Sequence, residues 1–195
     1  MFKKWDKTTP DGELYYDIQT ALLREALCPE GCYSLNKLLC LMREKVKEGY
    51  ESTSSIYLCG TRIDSECCFG SDDLGLALSV LPEDGEKAAE PGYHPGSTEV
   101  YVTFQGSLII ELLDRGVIGR KTLGQFDVLV IPPGQCHRVR NEPEQKAASL
   151  IVKTNSHYEP KALRCEKCTY YKDSKDCPLY RSWDEEKKTL HISND

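Results

Sequence analysis

Residues 92–112, "GYHPGSTEVYVTFQGSLIIEL", decide how the rest of the chain is read. His94 and Glu99 stand just ahead of two short β-prone runs, and Gly106 separates the runs. Residues 126–141, "FDVLVIPPGQCHRVRN", supply a similar setting: an apolar run, a Pro-Pro-Gly turn that stiffens the chain, then His137. A metal site in a small barrel needs neutral imidazoles and a carboxylate projecting inward from neighbouring strands, with positions left open for water, substrate or dioxygen. Two histidines and one carboxylate make the facial triad of non-haem iron(II) chemistry. His94, Glu99 and His137 are therefore the candidate ligands.

Outward from these motifs, the β-prone character extends over residues 54–156. The runs "SSIYLCG", "LGLALSVL", "TEVYVTF", "SLIIELL", "FDVLVI", "HRVRN" and "SLIVKT" are separated by Gly, Pro, Asp and Asn. Strands at this spacing predict an all-β sandwich or barrel. The polar connector "LPEDGEKAAEPG", 81–92, leads into the first motif as a surface loop. Before the strands, residues 1–53 form a helical extension. Residues 12–27 favour a helix that "CPEGC" breaks, and Ser34 caps a second one. In the second helix Leu35, Leu38, Leu39, Met42 and Val46 recur on one face, to be packed on a neighbouring sheet. Residues 157–195 read as a charged tail carrying cysteines, without further β pattern.

Composition narrows the function. The chain has 195 residues and a formal charge of −6, with its basic residues scattered, which excludes a surface built mainly for nucleic acid. No stretch approaches the roughly 20 apolar residues of a membrane helix, and no apolar run follows the lysines at the start. The expectation is a cytoplasmic protein with no membrane and no nucleic-acid partner. Ten cysteines in such a chain are then reduced, with some of them candidates for metal binding. Cys40 in a helix and Cys59 in a strand read as buried small apolar residues, and the adjacent Cys67 and Cys68 carry no assigned role.

The two motifs together resemble the cupin family. Its first motif is, in outline, G…HxH, three or four residues, E, six residues, G; here His94, four residues, Glu99, six residues, Gly106 match the second half. Gly92 stands where the family has its first histidine. The second motif is G, five residues, PxG, two residues, H, three residues, N; Pro132, Gly134, His137 and Asn141 match, and Phe126 replaces the leading glycine. The resemblance spans about residues 54–156 and implies a double-stranded β-helix barrel, mainly β, with a three-ligand metal site. It is weaker, but present, towards 3-hydroxyanthranilate dioxygenases, which also use two histidines and one glutamate. Fe²⁺ is the favoured ion, with Zn²⁺, Mn²⁺ and Ni²⁺ as alternatives.

Strand alternation extends the reading. Successive side chains point to opposite faces, so an inward Glu99 brings Tyr101 and Thr103 inward too. An inward His137 likewise brings Val139 and Asn141, and sends Cys136, Arg138 and Arg140 outward.

The tail holds Cys165 and Cys168 in a CxxC pair, then Cys177. A CxxC places two thiolates on one side of a tight turn, as zinc and iron sites require. Cys28 or Cys32 of "CPEGC" is the preferred fourth ligand, and His157 or His191 the alternative, for a second, structural Zn²⁺ or Fe. Bacterial 3-hydroxyanthranilate dioxygenases carry a metal-binding cysteine region after the barrel as well, though with a second CxxC that this chain lacks.

These readings converge on a metal-dependent protein acting on or binding a small molecule. A non-haem iron(II) oxygenase comes first. A non-catalytic sensor or storage module and a zinc- or manganese-dependent isomerase or lyase are the other classes. A homodimer is expected.

Overall fold

In the computed structural model the described residues are 18–19, 21–29, 32–49, 55–59, 74–81, 90–141, 146–154, 163–164 and 170–192. Helical residues 18–19 and 21–26 (α1) precede helix α2, Leu35–Lys47. Ser34 caps α2 as expected: its hydroxyl accepts from the Lys37 amide at 3.4 Å, which satisfies one of the amides that a helix start leaves without a partner.

Among the described residues ten strands follow: β1 Ser55–Cys59, β2 Leu74–Leu81, β3 Gly92–Tyr93, β4 Glu99–Gln105, β5 Leu108–Asp114, β6 Val117–Leu123, β7 Val128–Ile131, β8 His137–Asn141, β9 Ala147–Thr154 and β10 Leu163–Arg164. They form two antiparallel five-stranded sheets, ordered β1-β2-β9-β4-β7 and β10-β3-β8-β5-β6. The expected mainly β double-stranded architecture is what the chain adopts. Every run predicted as a strand is one.

Strands β3, β6 and β10 and the helix of the tail were missed. Strand β6, "VIGRKTL", is mostly exposed, so it carries charges where an alternating apolar pattern was sought. It pairs along its whole length with β5 through a two-residue turn in which Arg115 and Gly116 both take positive φ, the geometry whose twist matches a hairpin. The tail also departs from expectation, because it holds strand β10 and a 15-residue helix, α3, Pro178–Ile192. Pro178 at the first helical position was the available signal.

Alternation assigns each face of the sheets its role. Between them lie Tyr101, Leu108, Ile110, Leu123, Ile131 and Ala147, joined by Leu129, Val139 and Ile151. The outer face of the first sheet offers Ile56, Leu58, Leu78, Val80 and Ala148, and these form one cluster with Leu22, Leu23 and Ala26 of α1 and Leu38, Leu39 and Met42 of α2. The predicted apolar faces of the helices are thus buried on the sheet. Cys40 lies on the other face of α2 and is exposed, which corrects its expected burial.

The second sheet is covered by α3. Arg138 and Arg140 do point out of the barrel, but Arg138 is fully buried there, paired to Glu111 at 2.5 Å and to Glu186 of α3 at 3.2 Å. Arg140 meets Glu186 at 2.8 Å. Among the described residues no helix is long and apolar enough to cross a membrane.

Candidate functional site

His94, Glu99 and His137 come together at one end of the space between the sheets. Glu99 opens β4 and His137 opens β8, so each is set at a strand end by the backbone ladder. His94 follows β3 directly, and its carbonyl accepts the Gly134 amide at 2.8 Å, which ties the first motif to the Pro-Pro-Gly turn of the second. Gly134 takes φ +79°, and a Cβ there would come within 3.0 Å of the Tyr170 hydroxyl, so the turn needs glycine.

All three side chains are buried, and the imidazoles address different oxygens of one carboxylate. His94 Nε2 is 3.2 Å from Glu99 Oε1, and His137 Nε2 is 3.0 Å from Oε2. Burial acts to raise the Glu99 pKa, but the His137 and His94 imidazoles set against its two oxygens outweigh it. The carboxyl is held far below its ordinary range and is ionised. The His137 ring stands edge-on to Tyr101, with centroids 6.1 Å apart, so Tyr101 packs on the inner face where alternation placed it.

Several features of this cluster suit a divalent ion. His137 Nδ1 lies 3.1 Å from the Gln135 carbonyl, an acceptor that places the proton on Nδ1 and leaves Nε2 its lone pair. That lone pair faces a carboxylate oxygen, and Glu99 Oε2 is buried without a hydrogen-bond partner. Two acceptors this close want a cation between them. Neighbouring ligands of one ion, with bonds of about 2.1 Å at right angles, stand about 3.0 Å apart, close to both separations observed. The donor set of two imidazoles and a carboxylate is one that zinc, iron and manganese accept. As placed, the carboxylate spreads between the rings, and no trio of His, Cys, Asp and Glu among the described residues closes on a single point. His94 Nδ1 is buried with no hydrogen-bond partner.

A fourth polar side chain completes the cluster, and sequence reasoning missed it. Lys153 of β9 lies directly across from Glu99 in the sheet. Its Nζ is 3.4 Å from Glu99 Oε1, on the His94 side of the carboxylate. Parity along β9, with Ser149, Ile151 and Lys153 on one face, was legible; the register that sets Lys153 against Glu99 was not. Gly92, in the place of the absent histidine, is paired across the ladder with His137.

The cysteines expected to hold a second metal are described only in part. Cys165 and Cys168 lie outside the described residues. Cys177, just before α3, is buried in an apolar cluster with Tyr93, Cys136 and Leu179. Cys28 and Cys32 sit in the α1–α2 loop, where the Cys28 amide donates to the Cys32 carbonyl at 2.8 Å. The structure does not gather Cys28, Cys32 and Cys177 into one group.

Residues 79–153 match the sequence profile of the Cupin domain family, and this part of the chain is a cupin domain. Solved structures give further likenesses. Oxalate oxidase is 21% identical over 47% of this chain and 46% of its own, with a TM-score of 0.41. A cupin superfamily protein from Desulfitobacterium hafniense is 20% identical over 43% of this chain and 69% of its own, at 0.36. A sugar phosphate isomerase from Silicibacter pomeroyi is 26% identical over 42% and 50%, at 0.37. The match thus spans about half the length of the oxalate oxidase chain. No curated protein matches the chain significantly. The finer likeness to 3-hydroxyanthranilate dioxygenases finds no support in these comparisons.

Proposed function

We propose that this chain is a metal-dependent cupin enzyme acting on a small molecule, with one divalent ion on His94, Glu99 and His137. Fe²⁺ is the first choice, and oxygenation the first chemistry. The observation that carries this reading is the pair of imidazole nitrogens set against the two oxygens of one buried, ionised carboxylate, one of which has no hydrogen-bond partner.

When bound, the ion would supply Lewis acidity and open positions for dioxygen and an oxygen-bearing substrate. The chain's own residues do the rest. His137 is held in one tautomer by the Gln135 carbonyl. Tyr101, Leu129, Val139 and Ile151 form an apolar layer beneath the cluster that keeps the ligand at the barrel end.

Elemental analysis of protein prepared without oxygen tests the site. Fe²⁺-loaded chain should hold about one equivalent, and His137→Ala should lose it while staying folded, because an end-of-barrel ligand adds little to the core. Unchanged metal content in His137→Ala would sink the reading. Oxygen uptake with a small-molecule substrate supports an oxygenase, whereas turnover with Zn²⁺ or Mn²⁺ and no oxygen demand supports an isomerase or lyase.

One observation favours a second reading. The Lys153 ammonium already offers Glu99 a counter-charge, so a non-catalytic metabolite-binding module could keep its carboxylate ionised without an ion. That reading requires the folded parent to take up no stoichiometric metal.

A further inference from the structure

Lys153 is an unusual residue to find where it is. It stands in the middle of a sheet, β2-β9-β4, with Gly75 across on one side and Glu99 on the other. Its side chain is 11% exposed. A lysine seldom occupies such a place unless it is paired. Its pairing here is incomplete. An ammonium has three donors, and among the described residues its one polar partner is Glu99 Oε1, at 3.4 Å.

The charges then set a condition on the ligand. Glu99 contributes one negative charge and Lys153 one positive, and the imidazoles are neutral when they ligate. The protein groups therefore sum to about zero, and a divalent ion would bring an excess of two positive charges into a buried site. Such an excess is costly unless the incoming molecule is an anion. The Nζ donors lie beside Glu99 Oε1, the oxygen that His94 also approaches, so a group reaching the ion from that side meets the ammonium.

Other parts of the molecule are already accounted for. The Arg138, Arg140, Glu111 and Glu186 cluster is closed by α3, and the Cys136 and Cys177 thiols are packed among apolar side chains.

We infer that Lys153 is the anion receptor of this site, and that the molecule bound there carries a carboxylate or an equally compact oxyanion next to its metal-binding oxygen. The inference rests on the metal reading for its charge balance, and on Lys153 itself for its position. The ammonium binds the anion and orients it, and takes no part in holding the ion.

The test compares lactate with lactamide, which differ in charge and little in shape, by calorimetric titration of the full metal-loaded chain. The same titrations are run on Lys153→Met and Lys153→Arg. Parent protein should bind lactate at least about tenfold more tightly than lactamide. Lys153→Met should lose that preference with its metal content unchanged, and Lys153→Arg should keep most of it. Equal binding of lactate and lactamide by the parent would overturn the inference. So would a Lys153→Met variant that prefers lactate as the parent does, or one that has lost its metal, since Lys153 would then serve the ligands and not the substrate. If the parent holds no metal yet prefers lactate in a Lys153-dependent way, the metal reading fails and the anion receptor stands. Should Lys153→Met not fold, Lys153→Gln takes its place.

Discussion

At the level of single residues, the two departures from the family pattern have separate consequences. Gly92 removes an imidazole beside His137 and leaves three candidate ligands. Phe126 keeps the turn that a glycine would make: its φ is +70°, its amide donates to the Thr103 carbonyl at 2.6 Å, and its ring is 73% exposed. A bulky side chain in the left-handed region costs about 1–2 kcal/mol. Packing returns little of this, because the ring is in solvent. Phe126→Gly should therefore stabilise the fold, by about 0.5–1 kcal/mol once the greater freedom of the unfolded glycine chain is subtracted. Urea unfolding reads this directly, and an unchanged or lower midpoint at equal slope would show that the ring contributes more than its exposure implies.

Among elements, the turn that carries the chain from β4 in the first sheet to β5 in the second depends on Gly106. Its φ is +66°, and a Cβ there would lie 2.3 Å from the Lys146 carbonyl oxygen, a backbone atom with nowhere to retreat. Gly106→Ala should cost more than about 2 kcal/mol from strain and clash together, measured by denaturant unfolding. A loss under about 0.5 kcal/mol would mean that the Lys146 segment moves aside freely. Helix α3 is held in a different way. Glu111 is fully buried and accepts from Arg138 Nε and Arg120 Nε, each at 2.8 Å, while Glu186 joins Arg138 and Arg140 from the helix. Taking one partner from a buried pair strands the other charge. Arg138→Ala should thus cost about 3–5 kcal/mol, and Glu186→Gln, at the edge of the network, at most about 1 kcal/mol. Equal losses in thermal unfolding would show that the helix contact, and not the buried charge, carries the stability.

For the molecule as a whole, the N-terminal helices and the first sheet share one apolar cluster in which Leu23, Leu38, Met42, Ile56 and Leu78 are all fully buried. Neither helix carries enough apolar surface for a core of its own. A chain cut after Gly49 should keep its two pieces together through gel filtration. Separation into a folded helical piece and a folded barrel would refute this.

Much of the fold was legible in the chain because it is written in local periodicity. Short β-prone runs bounded by turn residues marked seven of the ten strands among the described residues, and Ser34 before a 3.6-residue apolar repeat marked α2. The spacing of His94, Glu99 and His137 around prolines and glycines foretold that these three would meet through its resemblance to the cupin motifs, since Glu99 and His137 open strands of different sheets that local pattern alone does not join. What local pattern leaves open is register between distant strands and which outer face gets covered. Lys153 meets Glu99 only because β9 returns to lie beside β4 at one particular offset. Arg138 is buried where α3, whose own residues are largely polar, packs on the second sheet and sets Glu186 against it. A strand's sequence sets which side chains share a face. It takes the packed sheet to choose the residues they stand against, because that choice is made by the apolar surface buried in the whole assembly and not by any neighbour in the chain.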